Sequence, residues 1–317
     1  MEWTDRIGRR VKLRDLHILL AVAQAGSMSR AADRLAVSHP VVSKTIADLE
    51  HALGVRLLDR TSQGIEPTAY GRALLGCGTV VFDELRRGVQ ELAFLSDPTV
   101  GELRVGSAAP QADALVPAVV ARLAGRYPKI RFRLTEGDAP SLCGMLRERK
   151  LDVVVGRVLS SVFGDDLTLD FLFQESMYVV AGLTSPWSRR RKISLKDLCG
   201  ERWIMPESDN IAMALISDGF RSAGVTPPVP QIVSNSLTMR VRLVETGQFL
   251  AILPESSLWF GVERMQIKVL PVRLQVKTPP TGVISVKNRT PNPIARLFID
   301  ELRAFASPVV KRGLARA

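Results

Sequence analysis

The feature that most constrains the fold is the stretch SMSRAADRLAVSHPVVSKTIADLEHALG at 27–54, which contains two helical patterns and a turn. In its first part, Ala31, Ala32 and Leu35 share one helix face, and residues this small allow another helix to pack closely. The Ser38-His39-Pro40 step predicts a boundary between helices, because proline suits the first helical turn and disfavours helix in the preceding residue. The stretch therefore predicts two short helices joined by a tight turn.

The second helix of this pair is predicted over 40–53, and its two faces differ. Its inward apolar residues recur at spacings of four, three and four: Val42, Ile46, Leu49 and Leu53. Its free face carries Ser38, His39, Val41, Ser43, Lys44 and Asp48. A helical pattern from Leu13, ending at Gly26, precedes the pair. The order predicts a helix-turn-helix whose second helix enters the DNA major groove, although helical hairpins in bundles share this spacing.

A β-hairpin is predicted directly after this helix. RLLDR and IEPT are typical of short strands, and Ser62, Gln63 and Gly64 form the turn between them. Arg56 and Arg60 flank the hairpin, where arginine side chains reach phosphates or a minor groove. The residues predicted to contact DNA are Ser38, His39, Pro40, Val41, Ser43, Lys44, Arg56 and Arg60.

The segment LLAVAQAGSMSRAADRLAVSHPVVSKTIADLEHALGVRLLDRTSQGIEPTAYG, Leu19 to Gly71, resembles the winged helix-turn-helix of LysR-type transcriptional regulators. The resemblance implies a DNA-binding regulator, expected to act as an activator, with double-stranded DNA, a small-molecule effector and RNA polymerase as partners. Family members often have glutamine where this chain has His39, which leaves the base preference there open. VKLRDLHILL with VSKTIADLE is similar to regulators of sugar uptake or of aromatic-acid catabolism.

A long helix is predicted after the hairpin, because no proline interrupts 68–95. One set of residues alternates steps of four and three: Leu74, Gly78, Val81, Leu85, Gly88 and Leu92. A second set repeats every seven: Leu75, Phe82 and Val89. Such a pattern favours a partner helix, and the alternative is one amphipathic helix packed on its own domain. The resemblance implies a homodimer through this linker helix, and a homotetramer is expected in addition.

Beyond Gly101 the pattern changes to strands alternating with helices, which predicts an α/β domain with largely parallel sheets and helices on both faces. Two crossings, near 182 and 275, predict two lobes with a cleft, and the resemblance implies a periplasmic-binding-protein-like effector domain. The expected boundaries are 1–70 for the winged helix-turn-helix, 67–96 for the linker helix, 101–317 for the effector domain, about 101–182 with 276–306 for lobe 1, and about 183–275 for lobe 2.

A ligand is expected beyond the carboxyl ends of the strands, where helix N-termini present free N–H groups. Ser107 and Ser236 are the strongest candidates as hydroxyls at helix starts, unless they are plain helix caps. Arg157 offers a fork for a carboxylate, unless it forms a surface ion pair. The predicted effector contacts are Ser107, Ala108, Ala109, Gly137, Asp138, Arg157, Ser208, Asn235 and Ser236.

Enzymatic function is not expected. The sequence lacks G-x-S-x-G, a Walker loop, H-E-x-x-H and G-x-G-x-x-G, and its three histidines all fall before residue 52. No cofactor and no metal are therefore predicted. A DNA-tethered carbohydrate-processing enzyme and an architectural DNA-binding dimer without effector remain as alternatives.

Composition adds weaker limits. The net charge is +11, but residues 1–96 hold 13 basic against 11 acidic residues, so bulk charge does not single out the N-terminal part for DNA. The absence of a long apolar run or a secretory signal pattern predicts a soluble, cytoplasmic protein with no membrane partner. The three cysteines are far apart in the sequence, so neither a disulfide nor a zinc site is predicted. Each is expected to be a small buried residue: Cys77, Cys143 and Cys199.

Overall fold

The computed structural model describes residues 11–61, 64–97, 99–157, 164–208, 210–259 and 265–314. The chain divides into two compact units, 1–89 and 90–317. No helix within the described ranges is long and apolar enough to cross a membrane.

The N-terminal unit consists of three short helices, a hairpin and most of a long helix. These elements are α1 (Leu13–Ala25), α2 (Met28–Leu35), α3 (His39–Leu53), β1 (Leu58–Thr61), β2 (Gly64–Pro67) and α4 (Ala69–Ser96). Gly26 ends α1 and Gly54 ends α3, both with positive φ, as expected of glycine at a helix C-terminus. α3 begins at His39, one residue before its predicted start, so that Pro40 is its second residue. Ser27 and Ser38 precede α2 and α3, but neither side chain makes a capping hydrogen bond.

The core of this unit lies where α1, α2 and α3 meet. Val42, Ile46 and Leu49 are at most 2% exposed, as their helical spacing predicts, whereas Leu53 is only partly buried. Ala31 and Ala32 of α2 are also buried and allow the close helix approach expected of small residues. The apolar side chains on the inward face of α3 therefore pack within its own domain.

The hairpin is antiparallel, with Leu58 opposite Pro67 and Thr61 opposite Gly64. Ile65 donates its N–H to the carbonyl oxygen of Gly26 at 3.1 Å, which joins the hairpin to the turn after α1. Gly64 has a φ of +131°, and a Cβ there would lie 2.8 Å from the oxygen of Gly26. Only glycine fits this position without a shift of the backbone. Ser62 and Gln63 of the predicted turn lie outside the described residues.

α4 has one face against α1 and another exposed. Gly78 lies beside Leu20, and the rings of Phe82 and His17 are 5.5 Å apart between centroids. Val81, Leu85 and Val89 are exposed. The two predicted repeats therefore do not form one seam, because Gly78 and Phe82 face the helix's own domain.

The C-terminal unit contains two five-stranded sheets. The first has the order β4-β3-β5-β12-β6, from Ile130–Glu136, Gly101–Ser107, Val153–Arg157, Thr281–Val286 and Leu167–Phe173. The second has the order β11-β7-β10-β8-β9, from Ile267–Leu274, Met177–Gly182, Leu250–Pro254, Trp203–Met205 and Ile232–Val233. The helices are α5 (Ala109–Asp113), α6 (Leu115–Arg126), α7 (Ala139–Arg147), α8 (Ile211–Ser222), α9 (Leu237–Glu245), α10 (Ser256–Trp259) and α11 (Pro293–Leu314).

The pairing of the strands corrects two predictions. β7 pairs with β10 and β11, so the strand ending at Gly182 belongs to the second sheet, and the first crossing lies between Phe173 and Met177. The sheets are mixed rather than largely parallel, because β12 and β7 run antiparallel to both of their neighbours. An apolar strand pattern is the same in either sheet and either direction, so only the pairing decides these points.

Each sheet is covered by apolar clusters on its two faces, as predicted. In the first sheet, Val153 and Val155 pack with Leu115 and Phe298, whereas Val154 packs with Leu142 on the other face. In the second sheet, the two clusters are built around Trp203 with Phe220 and around Ile204 with Val244. The cysteines are free thiols, and Cys143 is buried, but Cys77 on α4 is exposed, which contradicts its prediction as a buried residue.

Candidate functional site

The predicted DNA-contact residues of α3 lie together on its outer face. Ser38, His39, Pro40 and Lys44 are exposed, and Val41 and Ser43 are half-buried. Because the apolar residues of the same helix point into the core, this face has no partner element within the described unit. A helix that offers hydroxyls, an imidazole and an ammonium group has the hydrogen-bonding groups that read base edges and phosphates.

The hairpin is fixed to this helix by one carboxylate. Oε1 of Glu50 accepts the backbone N–H groups of Leu57 and Leu58 at 2.7 and 3.1 Å. Arg56, directly before this contact, is exposed, and its carbonyl oxygen accepts a hydrogen bond from Thr68. Arg60 lies in β1 opposite Ile65. The sequence did not single out Glu50, because a glutamate beside apolar residues is common on a half-exposed helix face.

The second group of predicted residues lies at the strand ends of the C-terminal unit. Ser107 is the last residue of β3, and its buried hydroxyl donates to the carbonyl of Ala108 at 3.3 Å. The residue that precedes α5 is Ala108, so Ser107 is not at the helix start as predicted. Arg157, the last residue of β5, is also buried, whereas the alternative prediction placed its ion pair at the surface.

Three other predicted contacts are engaged in hydrogen bonds with other residues of the unit. Asp138 caps α7 by accepting the N–H of Ser141 at 2.8 Å, and this hydrogen bond lowers the pKa of the Asp138 carboxyl. Ser236 caps α9 by accepting the N–H of Met239 at 3.2 Å. Oδ1 of Asn235 accepts the N–H of Glu207 at 3.1 Å and a hydrogen bond from the side-chain amide of Asn210 at 2.9 Å. Gly137 is half-buried and Ser208 is exposed.

Arg157 pairs with a carboxylate that connects both crossings between the sheets. Glu175, between β6 and β7, receives a hydrogen bond from the Arg157 guanidinium. Its second oxygen accepts the N–H of Ser256 at 2.6 Å, and its carbonyl accepts the hydroxyl of Thr278 at 2.6 Å. Because Thr278 lies in the second crossing, one residue ties together the end of β5, the start of α10 and both crossings.

A further group of buried polar side chains was not predicted. These side chains have atoms without a hydrogen-bond partner among the described residues: Gln111, Arg240, Ser256, Ser257 and Thr281. They come from α5, α9, α10 and β12, and α5 contacts both α9 and α10. No motif marks them, because they are spread over four segments and only the fold brings α5, α9 and α10 into contact.

Arg240 is the charged member of this group. It is 6% exposed, and burial lowers the pKa of its guanidinium to about 10. Its Nη1 donates to the carbonyl of Ile252 at 3.5 Å, and Asp113 of α5 interacts with it electrostatically. Burial raises the pKa of the Asp113 carboxyl. No cluster of residues able to bind a metal ion occurs in the ranges that the structure describes.

Comparison with known proteins matches both units. Residues 13–72 match the family model "Bacterial regulatory helix-turn-helix protein, lysR family", and residues 96–307 match "LysR substrate binding domain". The HTH-type transcriptional regulator GbpR of Azospirillum brasilense is 25% identical over 306 residues, which cover 96% of this chain and 90% of that protein. The hydrogen peroxide-inducible genes activator of Pectobacterium carotovorum is 29% identical over 286 residues, covering 90% of this chain and 92% of that protein.

A solved structure, full-length CbnR complexed with its target DNA, aligns with a TM-score of 0.54 at 25% identity. The alignment covers 93% of this chain and 100% of that chain.

Proposed function

The chain belongs to the LysR family of transcriptional regulators, and from that premise we propose that α3 and the β1–β2 hairpin contact operator DNA under the control of a small molecule bound between the two sheets. The protein is a DNA-binding transcriptional regulator with an effector-binding domain and is not an enzyme. The two alternatives, a carbohydrate-processing enzyme and an effector-free architectural dimer, find no support.

One observation supports the DNA proposal above all others: α3 buries its apolar face and exposes Ser38, His39, Pro40 and Lys44. In this reading Ser43 and His39 contact base edges, Lys44 contacts phosphate or guanine, and Arg56 and Arg60 contact the backbone or minor groove. His39 then sets a base preference of its own, since an imidazole replaces the glutamine expected from the resemblance.

The test uses the full-length protein and the sites that it selects from random double-stranded DNA. Replacing both Ser43 and Lys44 with alanine should weaken binding about tenfold or more and lower the salt dependence by about one phosphate contact. Lys150→Ala is the matched control. It also removes one positive charge, but from an exposed lysine of the other unit that pairs with Glu148. Unchanged affinity of the double variant at physiological salt would contradict the assignment of α3.

For the effector, we propose contacts from Ser107, Ala108, Ala109 and Arg157 inside the cleft and from Gly137, Asp138, Ser208, Asn235 and Ser236 at its rim. The buried, unpartnered side chains near α5 support this place for the ligand. Ser107→Ala and Ser236→Ala should each alter the response to effector and leave operator binding intact. Normal responses from both variants would show that the cleft assignment is wrong.

We further propose that α4 forms a homodimer and that two dimers form a tetramer. Val81, Leu85 and Val89, spaced by four, leave an exposed apolar stripe on this helix. Leu85→Glu should reduce the molar mass measured by light scattering at micromolar concentration. Gly76→Glu is the control, since nine residues place it about 180° around the helix, in open space. An unchanged mass for Leu85→Glu would contradict this interface.

We propose RNA polymerase as the partner through which the regulator changes transcription. The activator named among the relatives supports this proposal. Transcription from a selected promoter with purified polymerase, with and without the regulator, tests it. A regulator that binds the promoter but leaves transcript yield unchanged under every effector condition would count against it.

A further inference from the structure

The buried arginines of the C-terminal unit differ in one respect. Arg157 pairs with Glu175, and the guanidinium of Arg289 contacts a carboxyl oxygen of Asp152 at 3.1 Å. Arg240 is as buried as Arg157, but no carboxylate lies within ion-pair distance of it among the described residues, and its Nε, like that of Arg157, has no hydrogen-bond partner there. A buried guanidinium without a carboxylate in contact with it is costly, because burial disfavours the charged form.

The surroundings place this guanidinium where the two lobes meet. Its hydrogen bond goes to Ile252 of β10, two residues before that strand ends, and Ser256 and Ser257 follow the same strand. From the first lobe, α5 contacts α9, and Asp113 at the end of α5 interacts electrostatically with Arg240. The cation therefore lies between β10 of the second sheet and α5, the helix that follows β3 of the first sheet.

The neutral members of the group add the complementary chemistry. Gln111 is 1% exposed, and both its amide oxygen and its amide nitrogen lack partners. The hydroxyls of Ser256, Ser257 and Thr281 are likewise buried and unpartnered. Buried polar groups are almost always hydrogen-bonded in folded proteins, so exceptions on α5, which contacts the helix of Arg240, on the neighbouring α10 and on β12 indicate a missing polar partner. Water satisfies hydroxyls, but it does not neutralise a guanidinium.

We infer that the effector is a small hydroxylated carboxylic acid whose carboxylate pairs with Arg240 and whose hydroxyls bind the side chains of Gln111, Ser256, Ser257 or Thr281. A guanidinium presents two parallel N–H groups that match a carboxylate. This chemistry favours a sugar acid over a neutral sugar, and the polar neighbours favour it over an aromatic acid. The inference rests on the proposed effector function of the same cleft.

The test compares the thermal unfolding of three full-length proteins: wild type, Arg240→Met and Arg242→Met. Arg242 is the matched control, because it lies on the same helix, is exposed and pairs with Glu245. Without ligand, Arg240→Met should keep or raise the unfolding midpoint, by about 2–4 °C, since it removes an unpaired buried charge. A midpoint well below that of Arg242→Met would mean that Arg240 is structural, and it would overturn the inference.

The ligand arm uses gluconate, tartrate and glycerate beside sorbitol, erythritol and glycerol at matched ionic strength. An acid should raise the wild-type midpoint while its polyol does not, and Arg240→Met should weaken acid binding about 10- to 100-fold. A polyol that binds, or an acid that binds Arg240→Met as tightly as wild type, would overturn the inference that Arg240 binds a carboxylate. The proposed effector function would then still stand. If none of the acids and none of the polyols shifts the wild-type unfolding midpoint, the result would count against the effector function itself.

Discussion

Two carboxylates, one in each unit, show how differently the two functional regions are built. Glu50 joins α3 to the hairpin by accepting N–H groups seven and eight residues further along the chain. Glu175 accepts from Ser256, 81 residues away, and from Thr278, 103 residues away. The helix-turn-helix and its hairpin are therefore assembled from neighbouring segments, whereas the region between the sheets depends on contacts between segments that lie far apart in the chain.

This difference has a physical consequence for each region. Local contacts close short loops and fix an exposed surface, and the side chains that act are those left outside the core. Long-range contacts bring together groups that are buried, so their polar atoms must find partners or remain unsatisfied. Three changes test the contrast, in order of decreasing effect.

The largest effect is expected from Glu175→Ala. Removal of this carboxylate leaves Arg157 buried without a counter-charge, which should lower the free energy of unfolding by about 3–5 kcal/mol. Urea unfolding followed by tryptophan fluorescence measures the change, because Trp187, Trp203 and Trp259 all lie in the C-terminal unit.

The double variant Arg157→Met with Glu175→Met is the control for that experiment. It removes both charges and should recover most of the lost stability, since a buried pair often contributes little beyond an apolar pair of similar volume. Equal losses in the single and double variants would mean that Glu175 acts through its shape and not through its charge.

A smaller effect is expected from Glu50→Ala, which leaves the N–H groups of Leu57 and Leu58 without their acceptor. The hairpin should loosen by about 2 kcal/mol, and operator affinity should fall with it. Hydrogen exchange at those two amides measures the loosening directly. Glu50→Gln keeps an acceptor oxygen and should show a smaller change. Equal exchange in wild type and Glu50→Ala would mean that Glu50 does not hold the hairpin to α3.

The smallest effect concerns pH. The hydrogen bond from the N–H of Ser141 lowers the pKa of the Asp138 carboxyl below 3.8, so its ionised form stabilises α7. This contribution is present above that value and is lost as the pH falls through the lowered pKa, and it is small because the side chain is exposed.

Asp138→Asn is the comparison for this titration, because asparagine also caps a helix but does not ionise. The stability difference between wild type and Asp138→Asn should shrink between pH about 7 and pH about 3 as the carboxyl protonates. Urea unfolding at the two pH values measures it. A difference that is independent of pH would show that the charge of Asp138 adds nothing to the cap.

The elements of the helix-turn-helix and the hairpin could be predicted from the sequence to within a few residues, whereas their contacts with DNA stay a prediction. Helical periodicity separated Val42, Ile46 and Leu49 from the exposed face, and Pro40 and Gly26 marked helix ends within one residue. The glycine turn predicted the hairpin for the same reason: these signals are local, and each acts within a few residues.

The sheets were predicted less well. β6 and β11 were missed, and β7 was assigned to the wrong lobe, because an apolar strand does not encode which neighbour it pairs with. α4 shows the same limit, since its heptad pattern includes Gly78 and Phe82, which pack on α1.

The sequence by itself determined the classes of structure and function: a helix-turn-helix with a wing, a long helix and a two-lobed α/β domain. Only the tertiary structure decided that Arg157 pairs with Glu175 while Arg240 has no contacting carboxylate, and that the side chains of Gln111, Ser256 and Thr281 are buried without hydrogen-bond partners among the described residues. The reason is that burial and pairing depend on residues far apart in the chain, and periodicity contains no information about them.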